Sequence, residues 1–149
     1  MWDEIMTNYN ARADLLACLL ELTDAHKYAH NPSARRAFHT ALLDSYLYIP
    51  LAKKPKTRTG KIAFLTVHNN GHDHALLFSS IKTLSEFVGQ QMPYTRVSAR
   101  TALEQIHSGY ALLNAGPFGR ALRPNDISEI LTQAIENTRT PRPQMAIAN

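Results

Sequence analysis

Apolar residues recur along this chain in two periods, and the change of period divides it. Leu15, Leu16, Leu19 and Leu22 return at helical spacing, which predicts an amphipathic helix from roughly Ala11 to Tyr28. Asn31 and Pro32 break the pattern. Pro32 suits a first helical turn, where its missing N–H costs nothing, and Ala34, Phe38, Ala41 and Leu42 then form one face of a second helix. From Tyr46 the period shortens. Tyr46 to Leu51, Ile62 to Val67 and Ala75 to Phe78 are short runs of aromatic and branched residues, as strands require. Between the last two, Asn70-Gly71 marks a two-residue hairpin turn that pairs Asn69 with His72, His68 with Asp73 and Val67 with His74.

Ser80 can cap a helix whose apolar face is Ile81, Leu84, Phe87 and Val88, with Gly89 as its stop. Tyr94 to Val97 reads as a strand, Ser98 as the cap of a helix carrying Leu103 and Ile106, Gly109 as that helix's left-handed stop, and Tyr110 to Leu113 as the next strand. Pro124 opens the most regular helix of the chain. Ile127, Ile130, Leu131, Ala134 and Ile135 form its stripe, with Asp126, Glu129, Gln133 and Glu136 outside it. Residues 138–149 hold Pro141 and Pro143 and no periodicity, as in a frayed tail.

The expected architecture is therefore one α/β domain of the α+β kind over residues 1–137. An N-terminal helical pair fills 1–44, and a central mixed sheet of about five strands, flanked by helices, fills 45–137.

Composition narrows the class without naming a reaction. The chain has 149 residues, 44% hydrophobic and 19% charged, which is ordinary globular usage. Sixteen Lys and Arg against twelve acidic residues leave +4, a mild attraction for anions that demands no nucleic acid. Met1, Trp2, Asp3 and Glu4 carry neither the basic nor the apolar segment of a secretory signal, and the apolar run Leu15 to Leu20 is far short of the ~20 residues that span a bilayer. With a single cysteine, Cys18, no disulfide can form within the chain. Its apolar neighbours suggest a buried, inert thiol in a reducing cytoplasm. No membrane partner is expected.

Three places could carry chemistry. His68, His72 and His74 are dense enough to suggest a metal, but the hairpin register sends His68 to one face and His72 with His74 to the other, which reduces the cluster to polar residues on an exposed hairpin tip. The second place is the turn Leu113 to Arg120. Gly116 and Gly119 allow a tight reversal, Asn114 can bond its own backbone in an Asx turn, and Arg120 with free backbone N–H groups could meet an anion or carboxylate. Phe118 at its tip is the telling residue, because an exposed aromatic implies a partner. Third, Lys53, Lys54, Lys56, Arg58 and Lys61 form a basic run with no acidic residue and no interleaved aromatic for base stacking, so it suits an acidic protein better than a nucleic acid. No catalytic serine elbow, paired carboxylates or phosphate loop is present, and neither a cofactor nor a metal is expected.

From about Leu42 onward the order of elements resembles the SseB N-terminal domain family. The resemblance rests on SYLYIPL, a strand ending in proline; on LLFSSIKTLSEF, a strand passing through a serine-bearing turn into a helix; and on the turn in LLNAGPFGRAL. Where that family usually reads Asn-Pro-Gly, this chain has Asn114, Ala115, Gly116 and Pro117. The resemblance implies an α+β fold and a bacterial cytoplasmic protein, and it brings no catalytic residue. The expected function is a non-enzymatic interaction or regulatory module. Its surface would be Asn114, Gly116, Phe118, Gly119 and Arg120 with Arg96 or Arg100, assisted by Lys53, Lys54 and Lys56. The expected partner is another protein, acidic or a second copy of the chain. A small-molecule or anion sensor at the same turn and a metal-assisted enzyme using His72 and His74 are the alternatives.

Overall fold

The computed structural model describes residues 15–52, 60–89 and 92–139. It opens with three helices where two were expected. Helix α1 occupies residues 15–22 and gives way at Thr23 and Asp24 to α2, Ala25–His30. Asp24 causes the break: its carboxylate accepts the Lys27 amide at 2.8 Å and starts a new helix at Ala25. Asn31 does the same for α3, Pro32–Leu43, accepting the Ala34 amide with Pro32 in the first turn. The predicted stripe of α1 is also out of phase. Leu16 and Leu20 are buried while Leu15 and Leu22 face solvent, and Cys18, expected to be buried, is exposed with them. Residues 11–14 of the predicted helix lie outside the described residues.

The strands form two sheets rather than one of five. A mixed sheet has the order β2-β3-β5-β6, where β2 is Thr66–Asn69, β3 His72–Leu77, β5 Tyr110–Leu113 and β6 Arg120–Leu122. An antiparallel pair joins β1, Tyr46–Pro50, to β4, Tyr94–Ser98. The two sheets meet where Tyr48 and Phe78 exchange both backbone hydrogen bonds, at 2.8 and 3.0 Å. The strand expected over Ile62 to Val67 begins only at Thr66. Before it, Phe64 makes a single bridge to Leu51. The β2–β3 register is the one Asn70-Gly71 dictates, with Asn70 at φ 50° and Gly71 at φ 83°, as a type I′ turn requires.

Strands β3 and β5 run parallel, so the chain must cross over between them. The crossover holds α4, Ile81–Val88, then β4, then α5, Ala99–Ile106. Ser80 and Thr83 cap α4 reciprocally, and Ser98 caps α5. The stop of α5 is His107, at φ 50°, and not the expected Gly109.

Because β3 is buried on both faces from His74 onward, its alternate residues feed two cores. Leu77, with Ala111, Leu113 and Leu122, packs toward the helices, while Leu76 and Phe78 pack with Leu84 of α4. Helix α6, Pro124–Arg139, buries Ile127 and Ile130 in the larger core, buries Ala134 as well, and runs into the segment expected to be tail. Two of its residues expected outside the stripe are buried. Asp126 accepts the Arg123 amide at 2.9 Å, and Gln133 donates to the Thr40 hydroxyl at 2.9 Å, tying α6 to α3.

Candidate functional site

The turn between β5 and β6 is built on close backbone approach. Asn114 adopts a left-handed conformation at φ 51°, and Gly116 sits at φ 145°, where only glycine is at ease. Gly119 needs its missing side chain for another reason: a Cβ there would stand 2.6 Å from the Asn114 carbonyl oxygen. Asn114 does not close an Asx turn on its own backbone. Its Oδ1 accepts the Ser79 amide at 2.8 Å and its Nδ2 donates to the Ser79 hydroxyl at 2.9 Å. Both ends of one amide thereby clamp the turn to the segment from which α4 starts.

Beyond the carboxyl ends of the parallel strands this clamp leaves an open cleft of about 370 Å³. Ala17, Leu20 and Glu21 of α1 form one wall, and Thr83, Glu86 and Phe87 of α4 another. Residues 114–118 form the floor. Two aromatics stand in water beside it: Phe87 is 46% exposed and Phe118, at the turn tip, 59%. Among the described residues the lining holds two carboxylates and no cation.

Arg120 is turned away from that lining. Its Nη2 donates to the Thr23 backbone oxygen at the α1–α2 break, and its guanidinium carbon lies 5.0 Å from the centre of the Tyr28 ring. Burial lowers its pKa, opposed by Tyr28 and Asp24. The Tyr28 hydroxyl in turn is 2.7 Å from Nε2 of His39, and both residues are buried. Burial raises the Tyr28 phenol's pKa and lowers that of the His39 imidazole. Sequence reasoning missed this group because its members are far apart in the chain. The only hint was a Tyr and a His on neighbouring predicted helices.

The other expected site residues lie elsewhere. Arg96 on β4 stacks 4.1 Å over the exposed Tyr46 ring, and Arg100 on α5 pairs with Glu104 at 3.6 Å; neither lines the cleft. Lys53, Lys54 and Lys56 fall outside the described residues. The hairpin splits its histidines as expected, with His68 bonded to Asp73 at 3.0 Å. His74, however, is buried instead of exposed at the tip. Its Nδ1 donates to the His72 carbonyl at 2.9 Å, while His72 stacks on Tyr110 with ring centres 4.0 Å apart. Among the described residues no group of three or more His, Cys, Asp or Glu side chains is placed to hold a metal, and no helix is long and apolar enough to cross a membrane.

The mixed four-stranded sheet, its helices on both faces and the cleft above two parallel strand ends define an α+β domain. The chain belongs to the SseB family: the SseB protein N-terminal domain matches residues 19–129, which includes every strand among the described residues and the whole floor of the cleft. No curated protein and no solved structure matches the chain.

Proposed function

We propose that this domain is a non-enzymatic protein-interaction module of the bacterial cytoplasm, working through the cleft above residues 114–118. One observation carries the reading: two exposed phenylalanines, Phe87 and Phe118, line the same concavity. Aromatic side chains anchor protein interfaces when they sit together in a site that a partner can desolvate, whereas single exposed apolar residues carry no such meaning. The Asn114–Ser79 clamp and the Arg120–Thr23 contact brace the floor and one wall, so the surface is formed before binding and little ordering entropy opposes it.

Lys53, Lys54 and Lys56 enter through their charge, which attracts an acidic region of the partner over a Debye length of ~8 Å. Arg96 and Arg100 add to that field from outside the cleft. The lone exposed Cys18 fits a reducing compartment.

The experiment is affinity capture with the full chain from bacterial lysate, comparing Phe118→Ser and Phe87→Ser with Leu15→Ser, an exposed apolar position outside the cleft. The two cleft variants should lose the same partner while remaining folded, and Leu15→Ser should keep it. Phe118→Ser should melt at an unchanged temperature and Phe87→Ser with a modest loss, because the Phe87 ring centre also lies 5.7 Å from that of Phe78. A partner set indifferent to both cleft variants would refute the reading. A small-molecule sensor is the second reading, favoured by a cleft volume within the ~300–1,000 Å³ of ligand pockets. Stabilisation by a millimolar amino acid or phosphorylated metabolite in a thermal-shift screen, abolished by Phe118→Ser, would favour it over the first.

A further inference from the structure

Charge at the cleft runs against the charge of the chain. The whole sequence carries +4, yet among the described residues the ionisable groups in the lining are Glu21 and Glu86. They come from different helices, α1 and α4, so the two carboxylates reach the cleft from separate walls. Both are exposed, and among the described residues neither has an ion-pair partner. The other described glutamates are engaged: Glu129 meets Arg35 at 3.2 Å, Glu136 meets Arg36 at 3.5 Å and Glu104 meets Arg100. Arg120, the cation nearest in sequence to the cleft floor, is committed to Thr23 and Tyr28.

We infer that the cleft receives a partner-protein segment in which an apolar side chain is flanked by lysine or arginine. The apolar residue seats against Phe87 and Phe118, and the flanking cations meet Glu21 and Glu86. This rests on the protein-interaction reading above and adds the partner's chemistry. A phosphate or nucleic-acid ligand would bring its anions onto two carboxylates with no cation among the described lining residues to offset them, which costs affinity. A two-fold dimer through this face would set the same carboxylates of two copies against each other, because an isologous interface repeats its own patch. Arginine serves best in the flanking position, since its guanidinium pairs with a carboxylate and also stacks on an aromatic face.

The test uses the full chain and a positional-scanning library of acetylated, amidated hexapeptides, read by fluorescence polarisation at low and at physiological salt. The wild type should select Leu, Ile, Met or Phe at one position and Lys or Arg beside it, with binding that weakens as salt rises. Phe118→Ser should weaken the selected peptide by about thirtyfold, the scale of an interface anchor. The double variant Glu21→Lys/Glu86→Lys should keep the apolar preference and switch the flanking preference to Asp or Glu. The milder Glu21→Gln/Glu86→Gln should simply lose the flanking preference, and it covers the case in which charge reversal disturbs folding. Selection of acidic or neutral flanks by the wild type, a flanking preference unchanged in both double variants, or no selection at all would overturn the inference. So would self-association in sedimentation that Phe118→Ser abolishes, which would assign the cleft to a second copy. If Phe118→Ser loses its captured partner while the flanking preference ignores Glu21 and Glu86, the interaction reading stands and this inference falls. If Phe118→Ser changes neither readout, both fall.

Discussion

Arg120 and Tyr28, 92 positions apart in the sequence, face each other with the guanidinium carbon 5.0 Å from the ring centre, while the same guanidinium donates to the Thr23 backbone oxygen. The contact links the last strand to the point where the first helix breaks. It therefore sets the position of α1, one wall of the cleft. Arg120→Lys keeps the charge but loses the planar fork that reaches both partners at once. The expected cost is about 1–3 kcal/mol in urea unfolding, combining a part-buried hydrogen bond with a cation–π contact. A loss below about 0.5 kcal/mol, the range of an ordinary surface substitution, would mean the contact does not hold the wall.

Asn114 and Gly119 set the floor. Asn114→Gly keeps the left-handed backbone free of strain and removes only the two hydrogen bonds to Ser79, so it should cost about 1–3 kcal/mol. Asn114→Ala should cost roughly 1–2 kcal/mol more, because alanine disfavours the left-handed conformation. Gly119→Ala forces a Cβ to within 2.6 Å of a backbone oxygen, so the turn must open or the fold must strain. Chemical denaturation of the three variants gives the ordering. If Asn114→Ala and Asn114→Gly prove equal, the φ of 51° carries no energetic weight.

Much of this fold was legible in the sequence because its determinants are local. Asn70-Gly71 specifies the β2–β3 register, Ser80 and Ser98 start their helices, and Pro124 with the isoleucines behind it specifies α6. What failed was non-local or ambiguous. Leu15, Leu16, Leu19, Leu20 and Leu22 are compatible with two helical stripes, and only packing against the rest of the core selects Leu16 with Leu20 and leaves Cys18 outside. The break at Thr23 had its signal in Asp24, masked by the leucine periodicity that continues to Leu22. The exposed tip at Phe118 was readable, but the cleft was not, since its walls come from α1 and α4, far from the turn in sequence. From the sequence Arg120 reads as a residue that could meet an anion, because nothing near it in the chain shows that Tyr28 and Thr23 engage it.

His39 gives the fold a pH dependence with a definite sign. Burial lowers its pKa from the ordinary 6.5, with Arg35 acting in the same direction and Glu129, Asp126 and Gln133 against it. The folded state therefore favours the neutral ring, which leaves Nε2 free to accept from the Tyr28 hydroxyl. Its contribution to stability is fully present above about pH 6.5. It is lost as pH falls below that value toward the depressed folded pKa, because the unfolded chain binds a proton that the folded one resists. Urea midpoints measured from pH 7.5 down to pH 5 should fall, and His39→Gln should flatten that part of the slope. The Tyr28 phenol adds the mirror effect in alkali: its raised pKa gives stability that is lost as pH climbs past about 10. A His39→Gln variant with the wild-type acid slope would place the proton uptake on another group.

Helix α6 offers the sharpest test of packing, because two isoleucines five positions apart should behave oppositely. Ile130 is fully buried in the main core, so Ile130→Ala should cost roughly 2–5 kcal/mol, the lost transfer energy plus the cavity left behind. Ile135 belongs to the same sequence stripe yet is 45% exposed, so Ile135→Ala should stay within about 1 kcal/mol. Between them Gln133, polar and buried, donates to the Thr40 hydroxyl and the Arg36 carbonyl of α3. Gln133→Ala removes both hydrogen bonds between α6 and α3 and should cost about 1–3 kcal/mol, more than the truncation of Ile135. Thermal and urea unfolding of the three variants should thus rank Ile130 first, Gln133 second and Ile135 last. Were Ile135→Ala to rival Ile130→Ala, the helix would have to be rotated about its axis, with Gln133 moved away from α3 and the α3–α6 groove rebuilt.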